Sequence, residues 1–284
     1  MRVVSRRRYR WLSDPRQREE TGKLSAFSRS IGLDVIITPD GRPILVELQH
    51  GFGRRGLIQL FPRASRAYRK TYWHLRRQCG RDLFLAEELR RICSDKICTY
   101  QHFARHQPDS FVFHRWSSRV EQWLDGLETD LVLSKPPRGS CGAGILVHQR
   151  DLLRRSGGTV WLGTPPVLLQ AFVQCRPLPD WEGRPHVGCI RHIVLLHSDG
   201  HCLSLIHLPP YWRVSPVPLL GVAQREALTA NISTGAYAEP VSTMDAGCVR
   251  ALAEEVVERL VGLILCLPHV PRGPSQVIEE SEVS

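Results

Sequence analysis

One segment, Lys135-Pro136-Pro137-Arg138-Gly139-Ser140-Cys141-Gly142-Ala143-Gly144-Ile145, does most to restrict the folds open to this chain. The apolar run Leu131-Val132-Leu133 leads into a lysine, three glycines fall within six residues, and Ile145-Leu146-Val147 follows. The pattern reads as strand, glycine loop, strand. Glycines let backbone N–H groups turn toward a ligand with no side chain in the way, and lysine adds a mobile positive charge. Together they suit a polyphosphate. The spacing is neither the P-loop pattern nor the dinucleotide fingerprint, and a plain glycine hairpin has the same composition.

The remaining patterns give a mixed α and β chain. Leu33-Asp34-Val35-Ile36-Ile37 and Pro43-Ile44-Leu45-Val46-Glu47-Leu48 flank Thr38-Pro39-Asp40-Gly41, which predicts a hairpin over 32–49. A second hairpin is predicted over 188–208, turning at Ser198-Asp199-Gly200. Helices are expected over 63–91, from a cap at Ser94 or Asp95 to just before Pro108, and over 120–127 and 151–155. A longer amphipathic helix is expected over 249–267, where Leu252, Val256, Leu260 and Ile264 recur every four residues. Phe111-Val112-Phe113 and Val167 to Val173 read as strands. The prolines of 209–220 predict a loop, residues 1–24 are polar and basic with a poorly ordered start, and 268–284 read as a loose tail.

Composition excludes several classes. The most apolar stretch, 260–267, is preceded on its own helix by Glu254, Glu255, Glu258 and Arg259, so no membrane span is expected. Met1 to Arg10 lacks the apolar core of a signal peptide. Nine cysteines with scattered spacing fit reduced thiols better than a disulfide framework or a zinc site. These features point to a cytoplasmic protein. The formal charge of +10 is concentrated at Arg6, Arg7, Arg8 and Arg10 and again between Arg54 and Arg77. No nucleic-acid module accompanies it and aromatic residues do not alternate with it along the chain, so nucleic acid is not an expected partner.

From Asp95 onward the order of short motifs resembles the ATP-grasp ligases, the group containing D-alanine–D-alanine ligase and bacterial glutathione synthetase. Asp95-Lys96 is similar to the DK helix that opens their nucleotide-binding portion, and Pro108-Asp109-Ser110-Phe111 to the strand after it. Lys135-Pro136 with Gly139 to Ile145 resembles KP…GSGGxGV, and Gln170-Ala171-Phe172-Val173 resembles the QEFI hinge strand. Arg191 stands as in the DxRV strand, and Ala230-Asn231-Ile232-Ser233-Thr234-Gly235 resembles the N.S.GG loop. The family's metal-binding hairpin, GxDvi…DG…yvlEvN, is not found after the 249–267 helix. Its pattern appears near the start instead, as Gly32-Leu33-Asp34 through Asp40-Gly41 to Glu47-Leu48-Gln49, with Gln49 where asparagine is usual.

The resemblance implies an α+β ATP-grasp fold of two lobes clasping ATP, with circularly permuted element order. It divides the chain into a basic segment 1–30, the metal-binding hairpin region 31–62, a helical basic segment 63–94, the nucleotide-binding region 95–267 and a tail 268–284. It implies an ATP- and Mg2+-dependent ligase that activates a carboxylate as an acylphosphate for attack by an amine or other nucleophile. A small-molecule kinase on the same fold, or a nucleotide-binding protein without turnover, are the alternatives. By the same resemblance Lys96, Lys135 and the loop residues Gly139, Ser140, Gly142 and Gly144 would contact phosphates. Gln170, Ala171, Phe172 and Val173 would face adenine with their backbone, and Asn231 would reach the metal or γ-phosphate. Arg191 and Lys135 would act on the transferring group, and Asp34, Glu47 and Gln49 would hold magnesium. Ala171 replaces the usual glutamate, and Cys141 a usual glycine; the latter lacks the spacing of a nucleophile elbow. Arginines 54, 55, 63, 66, 69, 76 and 77 make an anionic substrate or acidic partner plausible.

Overall fold

A computed structural model describes residues 5–10, 27–50, 55–78, 83–139, 143–157, 159–198, 202–219 and 235–265. Two antiparallel sheets with flanking helices make up this α+β architecture. The larger sheet is organised by one long strand. In chain order its members are β1 (Ser5–Arg10), β2 (Phe27–Ile37), β3 (Pro43–His50), β8 (Leu178–Pro179), β9 (Pro185–Ser198), β10 (Cys202–His207), β11 (Tyr211–Pro218) and β12 (Tyr237–Pro240). β2 lies antiparallel along one side of β9, with Asp34 opposite Arg191. The other side of β9 is shared by β10 and β11. The smaller sheet runs β4 (Ser110–Phe113), β7 (Val167–Ala171), β5 (Leu131–Lys135), β6 (Leu146–Gln149).

The first hairpin closes as its sequence dictates. Gly41 sits at φ +87°, the left-handed region open to glycine, and its N–H donates to Thr38 O at 2.9 Å. Asp34 and Val35 of β2 face Glu47 and Leu45 of β3, so Val46 is extra. This bulge leaves Asp34, Glu47 and Gln49 on one face and Leu33, Leu45 and Leu48 on the other.

Seven helices are described: α1 (Arg55–Leu60), α2 (Pro62–Gln78), α3 (Leu83–Ser94), α4 (Lys96–Phe103), α5 (Ser118–Asp125), α6 (Arg150–Arg155) and α7 (Thr243–Leu265). One face of the large sheet, with Leu33, Val35, Ile190 and Val194, is buried under Val249, Ala253, Val256 and Leu260 of α7 and Leu89 and Ile92 of α3. On the opposite face Ile193, Leu195 and Tyr211 pack under Leu57 of α1 and Tyr68 of α2. The smaller sheet packs Val132 and Leu169 on Val120 and Leu124 of α5 and Leu153 of α6. Helix α4 packs against both β3 and β7, which ties the two sheets together. Its cap is Asp95, whose side chain accepts from Ile97 N at 3.0 Å and Cys98 N at 3.1 Å.

Two expectations are corrected. The 209–220 stretch is not a loop: Tyr211–Pro218 is strand β11, paired with both β9 and β12. Pro216 is accommodated because the register against β9 shifts between Val214 and Pro218, and Pro218 pairs with His186 at the strand's last residue. The N-terminal segment is also not wholly loose, since Ser5–Arg10 pairs with β10 as an edge strand. The 268–284 tail and the 199–201 turn lie outside the described residues.

Gly188 is a tight point. A Cβ there would lie 2.5 Å from Leu178 Cδ1 and 3.1 Å from Trp212 Cε3. Leu178 can turn away, but the Trp212 ring is buried and cannot. Gly188→Ala is expected to destabilise the fold by about 1–3 kcal/mol, read from the midpoint of urea unfolding.

Candidate functional site

The face of the large sheet on which α1 and α2 pack also carries, beside them, a row of polar residues. Across β3, β2 and β9 the register places Glu47, Asp34 and Arg191 side by side, with Tyr211 of β11 beyond them. Arg213, two residues along β11 from Tyr211, lies on the same face. Arg191 Nε donates to Asp34 Oδ1 at 2.5 Å and its Nη2 to Oδ2 at 3.0 Å, a two-pronged contact. Arg213 Nη2 lies 2.6 Å from Asp34 Oδ2 and also donates to Cys189 Sγ at 2.8 Å. Asp34 is buried, which by itself raises its pKa, but the charges and hydrogen bonds of Arg191 and Arg213 hold the carboxyl below the usual carboxylate range. Burial lowers the Arg213 pKa, yet the Asp34 charge raises it overall.

Glu47 and Gln49 follow on the same face. Gln49 Nε2 donates to Glu47 Oε2 at 2.8 Å and to Asp34 Oδ2 at 3.2 Å. Glu47 Oε1 lies 3.3 Å from Lys96 Nζ, the first residue of α4. Lys96 also grips the glycine loop: its Nζ donates to Gly139 O at 2.8 Å and its N–H to Pro137 O at 2.8 Å. The loop that reads as a phosphate cradle is thus anchored beside the hairpin from the start of the chain. Within it, Gly139 and Gly144 hold φ of 142° and 75°. Ser140, Cys141 and Gly142 lie outside the described residues, as does Asn231.

Lys135 enters from the smaller sheet. It is buried, and its Nζ donates to Gln170 Oε1. Gln170 Nε2 donates in turn to Ser110 Oγ at 3.0 Å, and Ser110 Oγ to Pro108 O at 2.8 Å. Burial pushes the Lys135 pKa down to about 8; Glu47 opposes this and Lys96 adds to it. The same interactions show that Lys135, Lys96 and Glu47 lie within electrostatic reach of one another.

The hinge strand departs from its expected use. Gln170 spends its side chain on Lys135. Ala171 N donates to Asp109 O at 2.8 Å and Phe172 N to Leu131 O at 3.0 Å. Those two N–H groups are therefore committed within the protein. Asp34 also departs: the expected metal ligand has both oxygens engaged by arginine. Arg213 joins the site from outside the expected residues, because the prolines of 209–220 predict a loop where β11 forms. The signal was Tyr211-Trp212-Arg213-Val214, where buried Trp212 and Val214 alternate with Tyr211 and Arg213 of the site face.

Lys96, Lys135, Arg191 and Arg213 gather against Asp34 and Glu47, so four cations face two carboxylates. An excess of buried and half-buried cations suits a multiply charged anion. For a metal ion the oxygens left by the arginines are those of Glu47 and of the Gln49 amide, whose rotation would turn its oxygen toward the Glu47 carboxylate. Among the described residues no cluster of three His, Cys, Asp or Glu side chains could hold a metal, so such an ion would need Gln49 and ligand oxygens. No family model, curated protein or solved structure matches this chain. No helix among the described residues is long and apolar enough to cross a membrane.

Proposed function

We propose that this protein binds ATP with magnesium and uses it to activate a carboxylate as an acylphosphate, in the manner of an ATP-grasp ligase. The observation that carries the reading is the meeting of Lys96, Lys135, Arg191 and Arg213 with Asp34, Glu47 and Gln49, drawn from both sheets and from both ends of the motif order. Lys96 and Lys135 would neutralise phosphate oxygens, and the 139–144 loop would close over them. Arg191 and Arg213 would stabilise the oxygens of the transferring phosphoryl group, where charge builds up. A substrate carboxylate oxygen would bond to the γ-phosphorus as the bond to ADP breaks. The nucleophile would then displace inorganic phosphate. Glu47 and Gln49 would hold magnesium, whose charge helps neutralise the triphosphate, while Asp34 stays clamped by Arg191 and Arg213 behind them.

A second reading, nucleotide binding without turnover, is favoured by the double arginine clamp on Asp34. Calorimetry with ATP and magnesium tests the shared premise. Glu47→Ala and Lys135→Ala should each weaken binding by about tenfold or more, equivalent to about 1.4 kcal/mol. ATP binding indifferent to both changes removes the site. Product analysis separates the reactions: a ligase releases free phosphate with ADP, a kinase leaves a stable phosphoester, and a binding protein leaves ATP intact.

A further inference from the structure

Helix α2 displays a straight stripe of cations around an aromatic ring. Arg63, Arg66, Lys70, Trp73 and Arg77 follow one another at steps of three, four, three and four, which brings all five to one side of a helix. All five are exposed, and Trp73 keeps 47% of its surface in solvent. The inner side holds Ala64, Ser65 and Tyr68 against the large sheet. The stripe runs roughly 21 Å, at 1.5 Å of rise per residue. Residues 51–81 contain no Asp or Glu, so nothing in this stretch neutralises it. The indole is buttressed from behind: Tyr72 meets it edge-on at 5.6 Å and stacks on Tyr68 at 5.7 Å.

We propose that this outer face of α2 is a docking surface for single-stranded nucleic acid. Three features select that partner. The charge is mostly arginine, whose planar fork matches phosphate in two-pronged contacts. The cations form a line, which suits a linear polyanion. A braced, half-exposed indole lies within that line, where an unstacked base can lie on it between phosphate contacts. An acidic polypeptide has the charge but no ring to stack. The linear sequence hides this arrangement, because the aromatic joins the cations only once the segment is wound as a helix.

The test is fluorescence anisotropy of the full chain with a labelled oligouridylate. If the four cations each engage a phosphate, the slope of log affinity against log salt is about −3, and affinity falls about fifty-fold between about 50 and about 200 mM salt. The variant carrying Arg63→Ala, Arg66→Ala, Lys70→Ala and Arg77→Ala should lose this binding and its salt slope. Trp73→Ala should weaken binding about tenfold and leave the slope unchanged. Both variants should keep the wild-type thermal midpoint and ATP affinity, which separates this surface from the nucleotide site. The proposal is overturned if Trp73→Ala binds as wild type does. It is equally overturned if a duplex, or polyglutamate at matched charge, binds as tightly as the single strand; the last result would assign an acidic protein instead.

Discussion

Asp34→Ala is expected to destabilise the protein by about 3–5 kcal/mol, because it leaves Arg191 and Arg213 buried without their counter-charge. The loss should appear as a lower urea midpoint with an unchanged slope. Glu47→Ala is the contrast. Glu47 is more exposed than Asp34, its direct ion pair is with half-buried Lys96, and Lys135 keeps its bond to Gln170, so its removal should change stability by no more than about 1 kcal/mol while weakening ATP binding. The two acids of one hairpin thus separate into a structural anchor and a ligand-facing group. The pH dependence has a definite sign. Asp34 titrates below its ordinary value of 3.8 in the folded protein, so its contribution is present above that pH and is lost as pH falls through the folded-state value. The acid-unfolding limb should therefore flatten in Asp34→Ala. Equal stability losses for Asp34→Ala and Glu47→Ala would defeat this division.

ATP binding should take up a proton near pH 8 through Lys135. The free protein holds this lysine at about 8, against an ordinary 10.5, chiefly because it is buried. A triphosphate beside it favours the ammonium form and raises the value again. Affinity should therefore fall as pH rises above about 8, by up to tenfold per pH unit. At about pH 8.5 the calorimetric heat should vary with the buffer's ionisation enthalpy in the wild type and not in Lys135→Met. Without ATP the sign reverses. Between about 8 and 10.5 the unfolded chain holds a proton that the folded lysine has shed, so stability rises with pH across that window. A buffer-independent heat in the wild type would remove Lys135 from the phosphate site.

Much of the local structure was legible because its signals are short-range. Asp40-Gly41 announced the first hairpin, Asp95 the start of α4, and the four-residue spacing of Leu252, Val256 and Leu260 the long helix. Pairing between distant strands has no such signal. The grouping of the 32–49 hairpin with the later motifs came from motif order alone, and Asp34 does face Arg191 of the 188–208 stretch. The proline rule failed at β11 because it forbids a central ladder bond but not a register shift, and Arg213 was missed with the strand. The competition for Asp34 was also hidden. A carboxylate in a metal-ligand pattern looks the same in one dimension whether or not two guanidinium groups reach it.

The Asp34–Arg191 contact spans 157 residues of chain. During synthesis the hairpin therefore leaves the ribosome long before β9 exists to receive it. Until then it offers a bare edge with unmet backbone groups to any passing strand, and its aspartate has neither arginine. The polar face is completed late, in one long-range docking event, so nascent chains halted before about residue 200 should need shielding by a chaperone to stay competent.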